Sequence, residues 1–189
     1  MQGRLDFGLS LLGQEQAKAT AARLSAMRID RIVTSPLARA AETARAIAEP
    51  HSIAIETEPG LLEYDPGPVS GLTGAQIREM HPEIVASYAR GERPKFPGEE
   101  GRDVFSRRIA AVLESLQGTE KTVIAVAHGG VISAICSIIL GIEQHRPGVF
   151  QVANCSLTEL GTDRAGRLVL HSHNDTCHLA GIVTMDDRG

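Results

Sequence analysis

The sequence is poor in aromatic residues. Phenylalanine, tyrosine and tryptophan make up only 3% of its 189 residues, and tryptophan is absent. A chain of this length can bury enough apolar surface for one stable domain, so its core must be built mainly from leucine, isoleucine, valine and alanine. The apolar fraction of 42% is ordinary for a globular protein, and we expect a single domain over residues 1–189.

Cysteine and positive charge are also scarce. The three cysteines, Cys136, Cys155 and Cys177, form no CxxC pair and give no disulfide framework, which favours a reducing cytoplasm. The formal net charge of −4 argues against a nucleic-acid-binding surface. We therefore expect no nucleic-acid partner.

Long apolar runs are missing as well. Met1 is followed by polar and small residues, so no signal peptide is expected. The longest nearly apolar stretch, Val131–Ile142, is too short to span a bilayer and predicts a buried core helix. The sequence thus predicts a cytoplasmic protein without a membrane partner.

Strands and helices alternate along most of the chain. Ser10 is a suitable N-cap for the first helix, and Pro36 fits the first turn of the second. Helices are predicted over about residues 10–27, 36–49, 102–116 and 131–142, and strands over residues 30–35, 53–57 and 122–127. The tail predicts a β-hairpin, in which CSLTEL and RLVLHSH flank the turn GTDRAG. This order predicts an α/β fold with three α/β/α layers and a mostly parallel central sheet.

Two stretches, Glu58–Gly74 and Arg90–Gly101, are too rich in glycine and proline for regular structure. Thr73 and Gln76 form a capping box for a short helix after the first of them. Long ordered loops in compact domains often carry functional residues. We expect the first loop and the segment Pro82–Gly101 to shape the entrance of a pocket.

His128 stands where the strand 122–127 ends, and Gly129 and Gly130 allow a sharp turn into the next helix. Ligands of open α/β sheets bind beyond the carboxyl ends of the strands, and helix N-termini attract anions. His128 is therefore a candidate catalytic residue in an anion site. The alternative is a histidine that only caps the helix or packs against the strand end.

Two further candidates are Arg39 and Glu63. Arg39 lies in the first turns of a helix that follows a strand, where its guanidinium group could bind a phosphate. Glu63 lies within a loop, between an apolar pair and a tyrosine, where a carboxyl group with a raised pKa could donate a proton. Taken alone, Arg39 is more simply explained as a solvated arginine on the helix surface, and Glu63 as an ordinary loop glutamate. Together with His128 they describe an anion site.

Five segments carry a resemblance to a known family: QGRLDFGLSLLGQEQA, IVTSPLARAAETA, LLEYDPG, VIAVAHGG and NDTCHL. In this order they resemble the histidine phosphatase superfamily, also called the phosphoglycerate mutase-like family, over nearly the whole chain. The resemblance implies that a histidine takes the phosphoryl group, a glutamate protonates the leaving oxygen, and water releases phosphate. In that scheme Glu63 would be the proton donor, Arg39 a phosphate-binding residue and His128 the second histidine of the pocket.

The resemblance implies less specific roles for three further residues. Gly129 would offer its backbone N–H to the substrate, and Gln2 and Gly3 would belong to a loop near it. The family needs no metal, and we expect no cofactor.

The family also begins with a strand that ends in an Arg-His-Gly motif, whose histidine is the nucleophile, and this sequence contains no such motif. Three explanations compete: a start codon assigned too late, an inactive relative that binds phosphorylated ligands, or replacement of the strand by another part of the chain or by a partner chain. Truncation relative to the family is favoured, because Arg39, Glu63 and His128 are all present together.

The interval between Glu63 and His128, 65 residues, is short for the mutases that the family includes. The chain is more similar to the compact phosphatases, including the α-ribazole phosphatase type. We therefore expect a phosphatase that acts on a small phosphorylated metabolite. A phosphoglycerate mutase or an inactive phosphate-binding relative is the alternative, and a homodimer is left open.

Two functions from other classes are weaker. The segment HSHNDTCHL brings His171, His173, Cys177 and His178 together in sequence, and imidazole and thiolate groups suit zinc. The two histidines alternate along a strand, however, whereas Cys177 and His178 are adjacent, so the four side chains are expected to diverge. A nucleotide-binding Rossmann-type domain ranks last, because the sequence contains neither GxGxxG after a strand nor GxxxxGK[ST].

Overall fold

The computed structural model describes residues 2–92, 94–117, 121–142 and 149–182. Arg93 of the predicted loop Arg90–Gly101 lies outside the described residues. The helices are α1 (Leu11–Leu24), α2 (Ala38–Ala48), α3 (Gly74–Met80), α4 (Pro82–Ala89), α5 (Arg102–Leu116) and α6 (Gly129–Leu140). The strands are β1 (Arg31–Thr34), β2 (Ile55–Thr57), β3 (Val123–Val126), β4 (Leu157–Thr162) and β5 (Leu168–Asp175).

The first three strands form a parallel sheet in the order β2-β1-β3. Ile32 of β1 lies opposite Ile55 on one side and Ile124 on the other. Strands β4 and β5 form the predicted hairpin, and Leu160 lies opposite Leu170 in it. The hairpin is an antiparallel sheet of its own. The prediction of a mostly parallel central sheet therefore holds for the three-stranded sheet alone.

Helices cover both faces of the parallel sheet, as the α/β/α prediction requires. On one face, Ile32 packs with Leu24 of α1 and Ile47 of α2 in a cluster of aliphatic side chains. On the other face, Val33 packs with Ile109 of α5 and Val131 of α6. Aliphatic side chains dominate both clusters, which is how a chain with so few aromatic residues builds its core.

Local sequence signals explain most helix boundaries. The Ser10 hydroxyl accepts a hydrogen bond from the Gly13 amide and caps α1, and Thr73 and Gln76 form the predicted capping box at α3. Helix α5 has the predicted bounds. Its regular spacing of buried residues, from Phe105 to Leu113, explains that agreement.

Other boundaries differ from the prediction. Helix α1 ends at Leu24 rather than near residue 27, and Pro36 lies two residues before α2 rather than in its first turn. The segment Pro82–Ala89 forms α4, where the sequence analysis predicts no helix. Helix α6 is not buried all round, because Leu140 at its end is 49% exposed.

Strand β3 is unusually open for a strand of an apolar sheet. Ile32, Val33 and Thr34 of β1 are buried, whereas Ala125 of β3 is exposed and its neighbours are only partly buried. Within the described residues β3 pairs with β1 on one edge and with no strand on the other. A cavity of about 630 Å³ is lined by Ile124, Ala125 and Val126 of β3 and by residues 152–157, which lead into β4 and include its first residue.

None of the helices in the described part of the chain combines the length and the apolar character needed to cross a membrane.

Candidate active site

The site lies beyond the carboxyl ends of β1 and β3, where the sequence predicted it. Ser35 directly follows β1, and His128 lies two residues after β3 as the N-cap residue of α6. Their side chains meet, with His128 Nε2 at 2.8 Å from Ser35 Oγ. His128 is 7% exposed and Ser35 is fully buried, so this contact fixes the orientation of the imidazole ring.

Burial controls the charge of His128. Burial, together with the smaller effect of the nearby cations Arg39 and Arg108, lowers the pKa of the imidazole from 6.5 to about 4. His128 is therefore neutral near pH 7, with one ring nitrogen as a hydrogen-bond donor and the other as an acceptor. A neutral imidazole in this position can donate to an anion or act as a nucleophile.

Arg39 reaches the site from the first turn of α2. Its Nη1 donates to the Leu5 carbonyl at 2.8 Å and its Nη2 to the Gly3 carbonyl at 2.9 Å. These bonds hold the N-terminal loop against the cavity. Gly3 has a positive φ of 53°, and a Cβ there would meet the ring of Pro66, so the close approach requires glycine.

Glu63 enters the site from the loop between β2 and α3. Its Oε1 accepts a hydrogen bond from the Tyr64 amide at 2.7 Å, and its Oε2 accepts one from the Gly130 amide at 3.1 Å. Burial raises the pKa of Glu63, although these two bonds and the cations Arg39 and Arg108 oppose the rise. A carboxyl group with a raised pKa is suited to donate a proton.

All six residues singled out by the sequence line the cavity: Gln2, Gly3, Arg39, Glu63, His128 and Gly129. The cavity therefore contains a cation, a carboxyl group with a raised pKa and a neutral histidine at the start of a helix. Such a set can bind an anion and protonate a leaving group, which fits phosphoryl transfer. The individual roles of these residues stay predictions.

The sequence reasoning missed residues that support the site. Ser35 was not singled out, although it stands between β1 and a proline at the edge where ligands bind. Arg108 is one of several charged residues in the predicted helix 102–116, yet it donates to the carbonyl groups of Gly60 and Leu62 beside Glu63. No local signal in the sequence marks such a long-range contact.

The side chains of the conceivable zinc site diverge. His173 Nε2 lies 2.9 Å from the Gln151 carbonyl, whereas His178 Nε2 lies 3.0 Å from the Cys155 carbonyl and 3.1 Å from Thr20 Oγ1. Among the described residues no group of three or more histidine, cysteine, aspartate or glutamate side chains could hold a metal ion.

Comparison with known proteins finds relatives along most of the chain. The family model that matches residues 1–176 describes the histidine phosphatase superfamily (branch 1). Phosphoserine phosphatase 1 of Hydrogenobacter thermophilus is 30% identical over 181 residues, which cover 94% of this chain and 85% of that protein. A Yersinia enterocolitica protein named "Probable phosphoglycerate mutase GpmB" is 29% identical over 191 residues, covering 95% of this chain and 86% of that protein.

A solved structure shows that the similarity includes the fold. A mycobacterial glucosyl-3-phosphoglycerate phosphatase superposes with a TM-score of 0.82 at 29% identity. The match covers 94% of this chain and 92% of that chain. The similarity therefore extends to the arrangement of the sheet and its covering helices.

Proposed function

The chain belongs to the histidine phosphatase superfamily, and on that premise we propose that it hydrolyses a phosphomonoester of a small metabolite through a phosphohistidine intermediate. The match to the family model confirms the resemblance that was predicted from the sequence. One observation carries the proposal: Arg39, Glu63 and His128 line the same cavity at the carboxyl edge of the parallel sheet.

The proposed reaction has two steps. A histidine nitrogen attacks phosphorus, forming an N–P bond, while the P–O bond to the leaving alkoxide breaks and Glu63 gives that oxygen its proton. Water then attacks the phosphohistidine, Glu63 takes a proton from it, and phosphate leaves with the histidine regenerated. Arg39 offsets the negative charge of the phosphoryl oxygens throughout.

We assign His128 the role of a hydrogen-bond donor to the phosphoryl oxygens, not that of the nucleophile that attacks phosphorus. It is the one histidine among the described residues that line the cavity. We propose that the nucleophilic histidine is carried by an extended segment that pairs with the free edge of β3. Residues of β3 and residues 152–157 line the same cavity, and extended peptides add to unpaired sheet edges by main-chain hydrogen bonds.

We favour hydrolysis over the mutase reaction as the activity of this chain. The short interval between Glu63 and His128 supports a compact phosphatase, and relatives with phosphatase names include a phosphoserine phosphatase and a glucosyl-3-phosphoglycerate phosphatase. We propose a small phosphorylated metabolite as the substrate, with no metal or cofactor taking part.

The test is hydrolysis of p-nitrophenyl phosphate without added metal, by the chain alone and with a synthetic apolar peptide that ends in Arg-His-Gly. We expect turnover with that peptide and none with a matched peptide ending in Arg-Ala-Gly. Vanadate is expected to raise the unfolding temperature of the unmodified chain and to leave that of Arg39→Ala unchanged.

Two outcomes would change the proposal. Turnover by the chain alone that disappears in His128→Ala would make His128 the nucleophile. Absence of turnover together with absence of any vanadate effect would contradict a phosphate site at this cavity.

A further inference from the structure

Glu100 lies between two arginines beneath the loop that carries Glu63. Its Oε2 lies 3.0 Å from Arg4 Nη2, and its Oε1 accepts from Arg108 Nε at 2.9 Å. Arg108 Nη2 adds a second bond to Oε2, also at 2.9 Å, so the guanidinium group binds the carboxylate in a bidentate manner. The Glu100 side chain is only 8% exposed, which sets it apart from the solvated ion pairs of the surface.

The same two arginines bind the backbone of that loop. Arg108 Nη1 donates to the carbonyl of Gly60 at 2.7 Å and to that of Leu62 at 2.8 Å. Arg4 Nε donates to the carbonyl of Glu63 itself at 3.1 Å. Arg4 also lies 3.8 Å from Asp65 Oδ2. Glu100 is therefore the carboxylate that the two arginines share, and these arginines bind three carbonyl groups of the loop.

Glu100 also contacts the loop directly. Its amide donates to the Asp65 carbonyl at 2.9 Å, and its Oε2 lies 3.4 Å from the Asp65 amide. Beyond a single 3₁₀ turn at Pro59–Leu61, the loop has no regular secondary structure of its own up to Asp65. These contacts with Glu100 and its arginines therefore supply order that a helix or strand would otherwise give.

We propose that Glu100 is a positioning residue, which acts through Arg4 and Arg108 to hold the carboxyl group of Glu63 against the amide of Gly130. The proposal rests on the proposed function only for the role of Glu63 as proton donor. The contacts themselves are independent of the substrate and of the nucleophile.

The charges around Glu63 give the proposal a measurable consequence. Arg39 and Arg108 are the cations that lower the pKa of Glu63, against the burial that raises it. The carboxylate of Glu100 offsets the charge of Arg108. Without it, an unopposed cation and a more hydrated loop would both lower the pKa of Glu63.

The experiment is an NMR titration of the Gly130 and Tyr64 amides, which donate to the Glu63 carboxyl group. In the unmodified chain their midpoint is expected above the ordinary glutamate value. Glu100→Gln is expected to lower the midpoint by about one pH unit. A close cation lowers the pKa of a carboxyl group by about one to three units, and the expected shift is at the lower end of that range. Glu100→Asp keeps the charge on a shorter side chain, and its midpoint is expected between the two.

Glu92→Gln is the matched control. Glu92 pairs with Arg90 at 2.8 Å on the surface, where both side chains are more than half exposed. This variant loses the same charge and is expected to leave the Gly130 midpoint unchanged.

An unchanged midpoint in both Glu100 variants would overturn the proposal, even if their unfolding temperatures fall, because a merely structural residue would lower stability alone. If Glu100→Gln does not fold, the Glu100→Asp titration decides. A shifted midpoint in a chain whose cavity binds no vanadate would retain the positioning role of Glu100 and remove the proposed function.

Discussion

At the level of single residues, Gly129 and Gly130 make different contributions although they are neighbours in one turn. A Cβ on Gly130 would collide with Glu63 Oε1, whereas a Cβ on Gly129 would lie 3.8 Å from Val152 Cβ, an ordinary contact. The missing side chain of Gly130 is therefore what allows the Glu63 carboxyl group to reach the start of α6.

Gly130→Ala is expected to destabilise the protein by about 1–3 kcal/mol, because the displaced carboxyl group leaves buried hydrogen-bond donors without a partner. This loss should exceed the gain of up to about 1 kcal/mol that alanine brings to a helix. The measurement is urea unfolding, with Gly129→Ala as the control that retains stability. Equal stability of the two variants would mean that the Glu63 contact is easily replaced.

At the level of secondary structure, the two edges of β3 differ. The carbonyls of Thr122 and Val126 accept from the amides of Asp30 and Ser35, both at 2.9 Å, so even-numbered residues of β3 point to β1. The N–H and C=O of one residue point to the same edge of a strand, and successive residues alternate. Val123 and Ala125 therefore direct their amides to the free edge.

Hydrogen exchange followed by NMR tests this asymmetry. The amides of Val123 and Ala125 are expected to exchange about tenfold faster or more than those of Ile124 and Val126, since exposed backbone groups open most readily. An apolar peptide that enters the cavity as a strand is expected to slow the first pair selectively. Equal protection of all four amides in the chain alone would show that the edge is already covered.

Secondary-structure elements differ in how far they could be predicted from the sequence. Helix α5 and the hairpin β4–β5 followed from local periodicity and turn residues. The places of Arg39, Glu63 and His128 after strands or within a loop made them candidates, and they line one cavity, whereas their roles stay predictions. Helix α4 and the start of α2 after Pro36 did not, because neither carries a decisive cap or pattern. The Arg4–Glu100–Arg108 network was out of reach, since its members are brought together by tertiary packing alone.

At the level of the whole molecule, the site makes stability depend on pH in a defined direction. The folded pKa of His128, about 4, lies below the ordinary value of 6.5. The unfolded chain therefore binds this proton first as the pH falls, and folding loses stability between pH 6.5 and about 4. Glu63 acts with the opposite sign, because its raised pKa lets the folded state take up a proton before the unfolded state does.

His128→Asn separates the two contributions, because it removes the titrating imidazole and leaves Glu63 in place. At about 1.4 kcal/mol for each pH unit between the two pKa values, the histidine is expected to lower the free energy of unfolding of the unmodified chain by roughly 3 to 4 kcal/mol at acid pH. The free energy of unfolding, measured by urea at several pH values, should thus fall more steeply below pH 6.5 in the unmodified chain than in the variant. Parallel curves would mean that His128 is hydrated and charged at acid pH, which would contradict its burial against Ser35.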